Sequence, residues 1–136
     1  MEIQELIRIE ENGTLSFGNY ELEQKSKLAD FDYQGDKYKI KTFCEITKLE
    51  RNGMLVYEST PGTTVNSYQI SDNTIRFRVA AKEDVQITLG AEPEQDYTVY
   101  VNEANVGSVK TNLGGKLPIS IEITRGQFVD VKVEKN

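Results

Sequence analysis

Leu117-Pro118-Ile119-Ser120-Ile121-Glu122-Ile123-Thr124 decides the fold class. Leu117, Ile119, Ile121 and Ile123 recur at every second position, with Ser120, Glu122 and Thr124 between them. A period of two places the apolar set on one face of a strand, whereas a helix would need spacings of three and four. The same alternation appears in Ile75, Phe77 and Val79, with Arg76 and Arg78 between them. It returns in Val85, Ile87 and Leu89, in Tyr97, Val99 and Val101, and in Val129, Val131 and Val133. Near the start, Ile3, Ile7 and Ile9 are predicted to share a face, with Glu5 interrupting the run.

Turn residues separate these stretches. Asn12-Gly13 and Asn52-Gly53 predict type I′ hairpins, in which both central residues take positive φ. Pro61-Gly62 predicts a type II turn, and Asp72-Asn73 and Gly114-Gly115 further reversals. Reversals about every eight to twelve residues mark a β-sandwich or barrel. The expectation is an all-β protein with a soft boundary near Thr60-Pro61-Gly62. Residues 1–60 would form an antiparallel, hairpin-rich part packed on an immunoglobulin-like β-sandwich over residues 61–136. No linker composition separates the halves, so they are expected to pack as one unit. Glu21 to Ala29 is either a short helical turn or an irregular strand.

Composition narrows the function classes. Acidic side chains outnumber basic ones 22 to 16, for a net charge of −6, so a basic surface for nucleic acid is not expected. Histidine is absent, which removes the commonest general base and metal ligand. A chain with one cysteine, Cys44, forms no internal disulfide. That cysteine usage, with no basic-then-apolar start at Met1-Glu2-Ile3-Gln4-Glu5, predicts a cytoplasmic protein. No apolar run approaches membrane-spanning length, so no membrane partner is expected. No cofactor is expected either.

Several constellations carry candidate chemistry. Arg76 and Arg78 point to one face of a strand, where paired guanidinium groups can hold the carboxylate of an acidic sugar. Tyr33 and Tyr100 are the candidate stacking rings for a sugar. With the arginines they form the predicted ligand-binding set. Asp30, Asp32 and Gly35 stand at the first, third and sixth positions of a calcium-type loop that continues to Asp36. The twelfth position is Lys41 where a bidentate glutamate is needed, so the loop reads as solvated carboxylates. Gly114-Gly115-Lys116 lacks the upstream glycine and the Ser or Thr of a phosphate loop. Glu10-Glu11 and Glu92/Glu94 have glycosidase residue types without a defined separation. Cys44 follows Phe43 in an apolar-rich strand and reads as a core filler.

Whole segments resemble a family of short bacterial all-β proteins from Gram-positive anaerobes that carry the label endosialidase. The residues concerned begin with Glu5-Leu6-Ile7-Arg8-Ile9-Glu10, Leu15-Ser16-Phe17-Gly18-Asn19-Tyr20-Glu21-Leu22 and Tyr38-Lys39-Ile40-Lys41-Thr42-Phe43. They continue with Glu45-Ile46-Thr47-Lys48-Leu49-Glu50-Arg51-Asn52-Gly53-Met54, Tyr57-Glu58-Ser59-Thr60-Pro61-Gly62-Thr63 and Val109-Lys110-Thr111-Asn112-Leu113-Gly114-Gly115-Lys116-Leu117. The label implies a glycosidase-like enzyme. Sialidases proper share a large β-propeller and aspartate boxes closed by tryptophan. This chain has 136 residues and no tryptophan, and no catalytic residue is carried over. Tyr97-Thr98-Val99-Tyr100-Val101-Asn102 through Val106-Gly107 and Gly115-Lys116-Leu117 is similar to accessory β-sandwiches of polysaccharide-degrading enzymes. That likeness implies a structural or sugar-binding module.

Three functions are therefore expected, in this order. The first is a non-catalytic module that binds a glycan or protein partner, or self-assembles into a homo-oligomer by pairing its edge strands. The second is the glycosidase-like enzyme. The third is a structural component of a phage-like particle.

Overall fold

The computed structural model describes residues 4–136. Ile3, expected beside Ile7, lies outside the described residues. The chain runs through β1 (Ile7–Ile9), β2 (Leu15–Phe17), β3 (Ser26–Tyr33), β4 (Asp36–Phe43), β5 (Ile46–Arg51) and β6 (Met54–Thr60). It continues through β7 (Thr64–Ile70), β8 (Thr74–Ala80), β9 (Val85–Gly90) and β10 (Asp96–Val101). The last strands are β11 (Ala104–Lys110), β12 (Lys116–Ile121) and β13 (Val129–Lys135). The described residues contain no helix; Glu21 lies in a turn, Glu23 and Gln24 in a bend, and Ser26 to Ala29 open the irregular strand β3. The all-β class is as expected.

The strands make two antiparallel sheets, a seven-stranded one ordered β1-β2-β7-β8-β13-β10-β11 and a six-stranded one ordered β12-β9-β6-β5-β4-β3. Each sheet takes strands from both sides of Thr60-Pro61-Gly62, since β2 pairs with β7 and β6 with β9. Of the seven strands after Pro61, five lie in the first sheet and two in the second, which β3–β6 complete. The inner faces meet through rings. Tyr57 of β6 stands edge-on to Phe17 of β2 at 5.3 Å and to Phe77 of β8 at 5.7 Å. Around them the alternating residues Val79, Ile87, Leu89, Leu117, Val131 and Val133 are buried in one continuous core. Ile7 joins it, whereas Ile9, at the outer end of an edge strand, is 49% exposed.

Hairpin chemistry follows the sequence in part. Asn52 and Gly53 both take positive φ and join β5 to β6 as a two-residue loop, as expected. Gln34-Gly35 and Asn102-Glu103 do the same for β3–β4 and β10–β11 without having been anticipated. At Asn12-Gly13 only Gly13 is left-handed. The turn closes from the Gly13 N–H to the Glu10 carbonyl at 2.9 Å, centred on Glu11 and Asn12. The Asn12 side chain accepts from the Thr14 N–H at 3.1 Å, an alternative to the type I′ geometry that asparagine is suited to supply. The type II turn at Pro61-Gly62 is also absent. Gly62 has no positive φ, and a Cβ there would lie 1.9 Å from the Phe43 carbonyl oxygen, so its glycine serves close approach.

Two buried tyrosine hydroxyls are placed differently. The Tyr57 hydroxyl shares a 2.7 Å hydrogen bond with the Thr63 hydroxyl, while that of Tyr68 has no partner among the described residues. Tyr57→Phe is expected to cost about 1 kcal/mol, and Tyr68→Phe to be neutral or stabilising. Burial pushes both hydroxyls above the usual tyrosine range. An unfolded tyrosine loses its proton near pH 10. The folded one retains it, so the stability each contributes is complete below that pH and falls above it. The expected slope is about 1.4 kcal/mol per pH unit per tyrosine. Urea denaturation of the wild type and both variants at pH 9 and pH 11, either side of about 10, reads these slopes. A slope unchanged in both variants would contradict the assignment.

Candidate functional site

The outer face of the seven-stranded sheet carries a cleft of about 600 Å³. Its floor is built by register. Arg76 and Arg78 alternate with the buried Ile75, Phe77 and Val79 of β8 and so face outward. Asp130 and Lys132 do the same on β13, where Arg78 stands opposite Asp130 and Arg76 opposite Lys132. Tyr100 of β10 stands opposite Lys132 from the other side, and Gln69 of β7 opposite Arg76. The tips of the β1–β2 and β10–β11 hairpins complete the walls with Asn12 and Glu103.

The side chains in the cleft are unevenly satisfied. Arg78 forms an ion pair with the Asp130 carboxylate, Nε to oxygen 3.0 Å, and lies 4.9 Å from the Phe128 ring centre. Lys132 sits 4.6 Å above the Tyr100 ring and 3.8 Å from the Glu134 carboxylate. Arg76 has neither an ion pair nor a side-chain hydrogen bond among the described residues, although a lysine faces it directly. Like charges directly opposed on one sheet face destabilise a fold. A bound anion between Arg76 and Lys132 would reverse the sign of that interaction.

Three of the four predicted ligand residues, Arg76, Arg78 and Tyr100, therefore come together, and Tyr33 does not. Tyr33 lies in the other sheet, 9% exposed, with its hydroxyl donating to the Gly13 carbonyl at 2.6 Å. Its ring packs edge-on against Tyr38 at 5.6 Å. Lys132, Asp130 and Gln69 escaped the sequence reading. The alternation of Val129, Val131 and Val133 puts Asp130 and Lys132 on an outer face, but only strand pairing reveals which strand they adjoin.

The aspartates of the calcium-like stretch flank a β-hairpin. Asp32 is paired with Lys37, Asp36 accepts from the Asn52 amide at 2.9 Å, and Asp30 occupies a left-handed position in β3. Among the described residues, no group of three or more cysteine, aspartate or glutamate side chains is arranged to hold a metal ion. Cys44 lies in the β4–β5 turn, half-buried, and not in a strand of the core. Its backbone N–H donates to the Leu22 carbonyl at 2.8 Å.

No protein-family model, curated protein or solved structure matches the chain. Fold and cleft together define an all-β, two-sheet protein with a cation-lined cleft on one outer face.

The two arginines should respond differently to truncation. Arg76→Ala is expected to leave stability unchanged or raise it, because it removes a like-charge pair. Arg78→Ala loses an exposed ion pair and a ring contact, costing about 0.5–1 kcal/mol. Thermal denaturation at low and high salt checks both, and equal losses for the two variants would contradict the geometry.

Proposed function

We propose that the protein is a non-catalytic binding module whose cleft takes an acidic sugar. The observation that carries this reading is the Arg76 guanidinium, unpaired among the described residues and set between Gln69 and Lys132 in a cleft that also holds Tyr100. A guanidinium presents a planar fork that matches a carboxylate, and the Gln69 amide offers both donor and acceptor to sugar hydroxyls. The Tyr100 ring supplies apolar surface beside them. The cleft volume falls within the range of small-molecule sites, roughly 300–1,000 Å³.

A glycosidase reading has less support. Its acid catalyst must be a carboxyl group kept protonated by a desolvated setting, with a second carboxyl at a fixed separation. The carboxyl groups lining this cleft, Glu103 and Asp130, are both exposed, and Asp130 is engaged by Arg78. Self-assembly through β11 is also disfavoured. The extra residue Val106 and the left-handed Gly107 break the ladder of this edge strand, a device that discourages further pairing.

Thermal shift and calorimetry with N-acetylneuraminic acid, glucuronic acid and glucose test the proposal. At a hundred times its dissociation constant, a ligand of the folded state adds about 2.7 kcal/mol. The acidic sugars are expected to stabilise the wild type and glucose is not, with the effect lost in Arg76→Ala and weakened in Tyr100→Ala. An acidic-sugar shift that survives in Arg76→Ala would remove the site from this cleft. Shortening of an oligosialoside chain on incubation with the protein would favour the enzyme instead.

A further inference from the structure

The opposite outer face, on the six-stranded sheet, carries a second and denser set of cations. Lys27 of β3 stands directly across from Lys41 of β4, and Lys41 directly across from Lys48 of β5. Neighbouring strands lie about 4.8 Å apart, so these three lysines form a row across the strands. Lys39 is two residues from Lys41 on the same face of β4, and Lys25 lies 5.7 Å from the ring centre of Phe43, two residues to the other side. Lys41 is thus the centre of a cross of five lysines. A groove of about 240 Å³ runs among Lys27, Lys39, Lys41, Lys48 and Glu50.

No carboxylate forms an ion pair with a lysine of this cross among the described residues. Glu50 stands opposite Lys39 and Glu58 opposite Lys48, yet neither forms an ion pair with a lysine among the described residues. Burial first, and then the four surrounding lysines, pull the Lys41 ammonium below the ordinary lysine range. The protein carries a net charge of −6, so this concentration of positive charge is local and runs against its overall field. Like charges in register across three strands oppose folding. Such an arrangement gains from a multiply charged anion bridging them.

We infer that this face binds an oligophosphate, a short run of linked phosphate groups, seated over Lys41. The side-chain chemistry separates it from the cleft on the other sheet. Guanidinium forks match carboxylate and phosphate oxygens alike, but Arg76 and Arg78 share their cleft with Asp130 and Glu103, whose charges oppose a multiply charged anion. Ammonium groups act as point charges with rotatable donors and suit tetrahedral phosphates that spread charge over several oxygens. The phosphates come either from a free chain or from a nucleotide, and the two are distinguishable by experiment.

Isothermal calorimetry with inorganic tripolyphosphate in about 50 mM salt, where screening is weak, is the test. The expected result is one site, weakened about tenfold or more by Lys41→Gln and lost in Lys27→Gln/Lys41→Gln/Lys48→Gln. Arg76→Ala should bind as the wild type does, so this result stands or falls separately from the cleft. ATP binding within about threefold of tripolyphosphate would support recognition of the phosphates themselves. ATP bound about tenfold more tightly would overturn it in favour of a base-reading site. Citrate bound as tightly as tripolyphosphate would overturn the phosphate assignment, and so would undiminished binding by the triple variant. Amide chemical shifts of the wild type supply a reading that needs no variant. They should move at Lys27, Lys41 and Lys48, and movement confined to other strands would overturn the assignment.

Discussion

The crossing of the chain from one sheet to the other at Thr63 is the constraint on which the rest of the molecule depends. β6 ends in the six-stranded sheet and β7 begins in the seven-stranded one, and the connection ends on the fully buried, polar Thr63. Thr63 resolves this through its neighbours. Its N–H donates to the Thr47 hydroxyl at 3.0 Å, which donates in turn to the Thr63 carbonyl at 2.9 Å. Its own hydroxyl bonds both Tyr57 and Ser59. Thr42 extends the chain of hydroxyls from Thr47 to the Asn19 N–H, and the Thr64 hydroxyl reaches the Gly18 carbonyl at 3.1 Å. A buried network of this kind is stabilising only when every member is satisfied. It therefore fixes one relative position of the two sheets.

Register propagates outward from that point. Thr64 faces Ala80, which sets β8 against β7, and an extra residue at Ser67 turns β7 so that Gln69 meets Arg76. β8 in turn aligns β13, and β13 aligns β10, which brings Tyr100 opposite Lys132. Among the described residues no side chain of the cleft is hydrogen-bonded to Thr63. Their positions nonetheless follow from the crossing, because a one-residue slip in any ladder would send the arginines inward and the valines out.

The parts of this arrangement that the sequence disclosed are those governed by local periodicity. Alternation located the strands around Phe77, Ile87, Val99, Ile119 and Val131, and it put Arg76 and Arg78 on an outer face. Tyr33 shows where periodicity stops informing. Lys27 faces outward, and an uninterrupted strand would carry Ala29, Phe31 and Tyr33 to the same face. One extra residue between Leu28 and Phe31, with Asp30 left-handed, reverses the alternation and turns Phe31 and Tyr33 inward. Nothing in the composition of Lys27-Leu28-Ala29-Asp30 announces that bulge. The aspartates and Gly35 that resembled a calcium loop have a related explanation. The residues that tolerate positive φ in an ion-binding loop are the same ones that close a two-residue hairpin. Strand pairing assembles both the cleft and the lysine cross, bringing Arg76 beside Lys132 from a distant strand and Lys27, Lys41 and Lys48 into one row across consecutive hairpins, and periodicity within a single strand does not report it.

The buried network and the lysine cross are two faces of the same strands. On β4 and β5 the pair Thr42 and Thr47 is followed immediately in register by the pair Lys41 and Lys48. The threonines point inward, fully buried, and share a 2.8 Å hydrogen bond, so the lysines one residue away must point outward and directly face each other. The same hydroxyl bond that secures the sheet crossing thus holds two ammonium groups in mutual repulsion on the surface. A sheet free to slip would relieve that repulsion by moving Lys41 past Lys48. This one cannot do so without breaking the Thr42–Thr47–Thr63 chain in its core. The charge strain on the outer face is therefore locked in by interactions on the inner one, and an anion arriving over Lys41 finds its cations already in place.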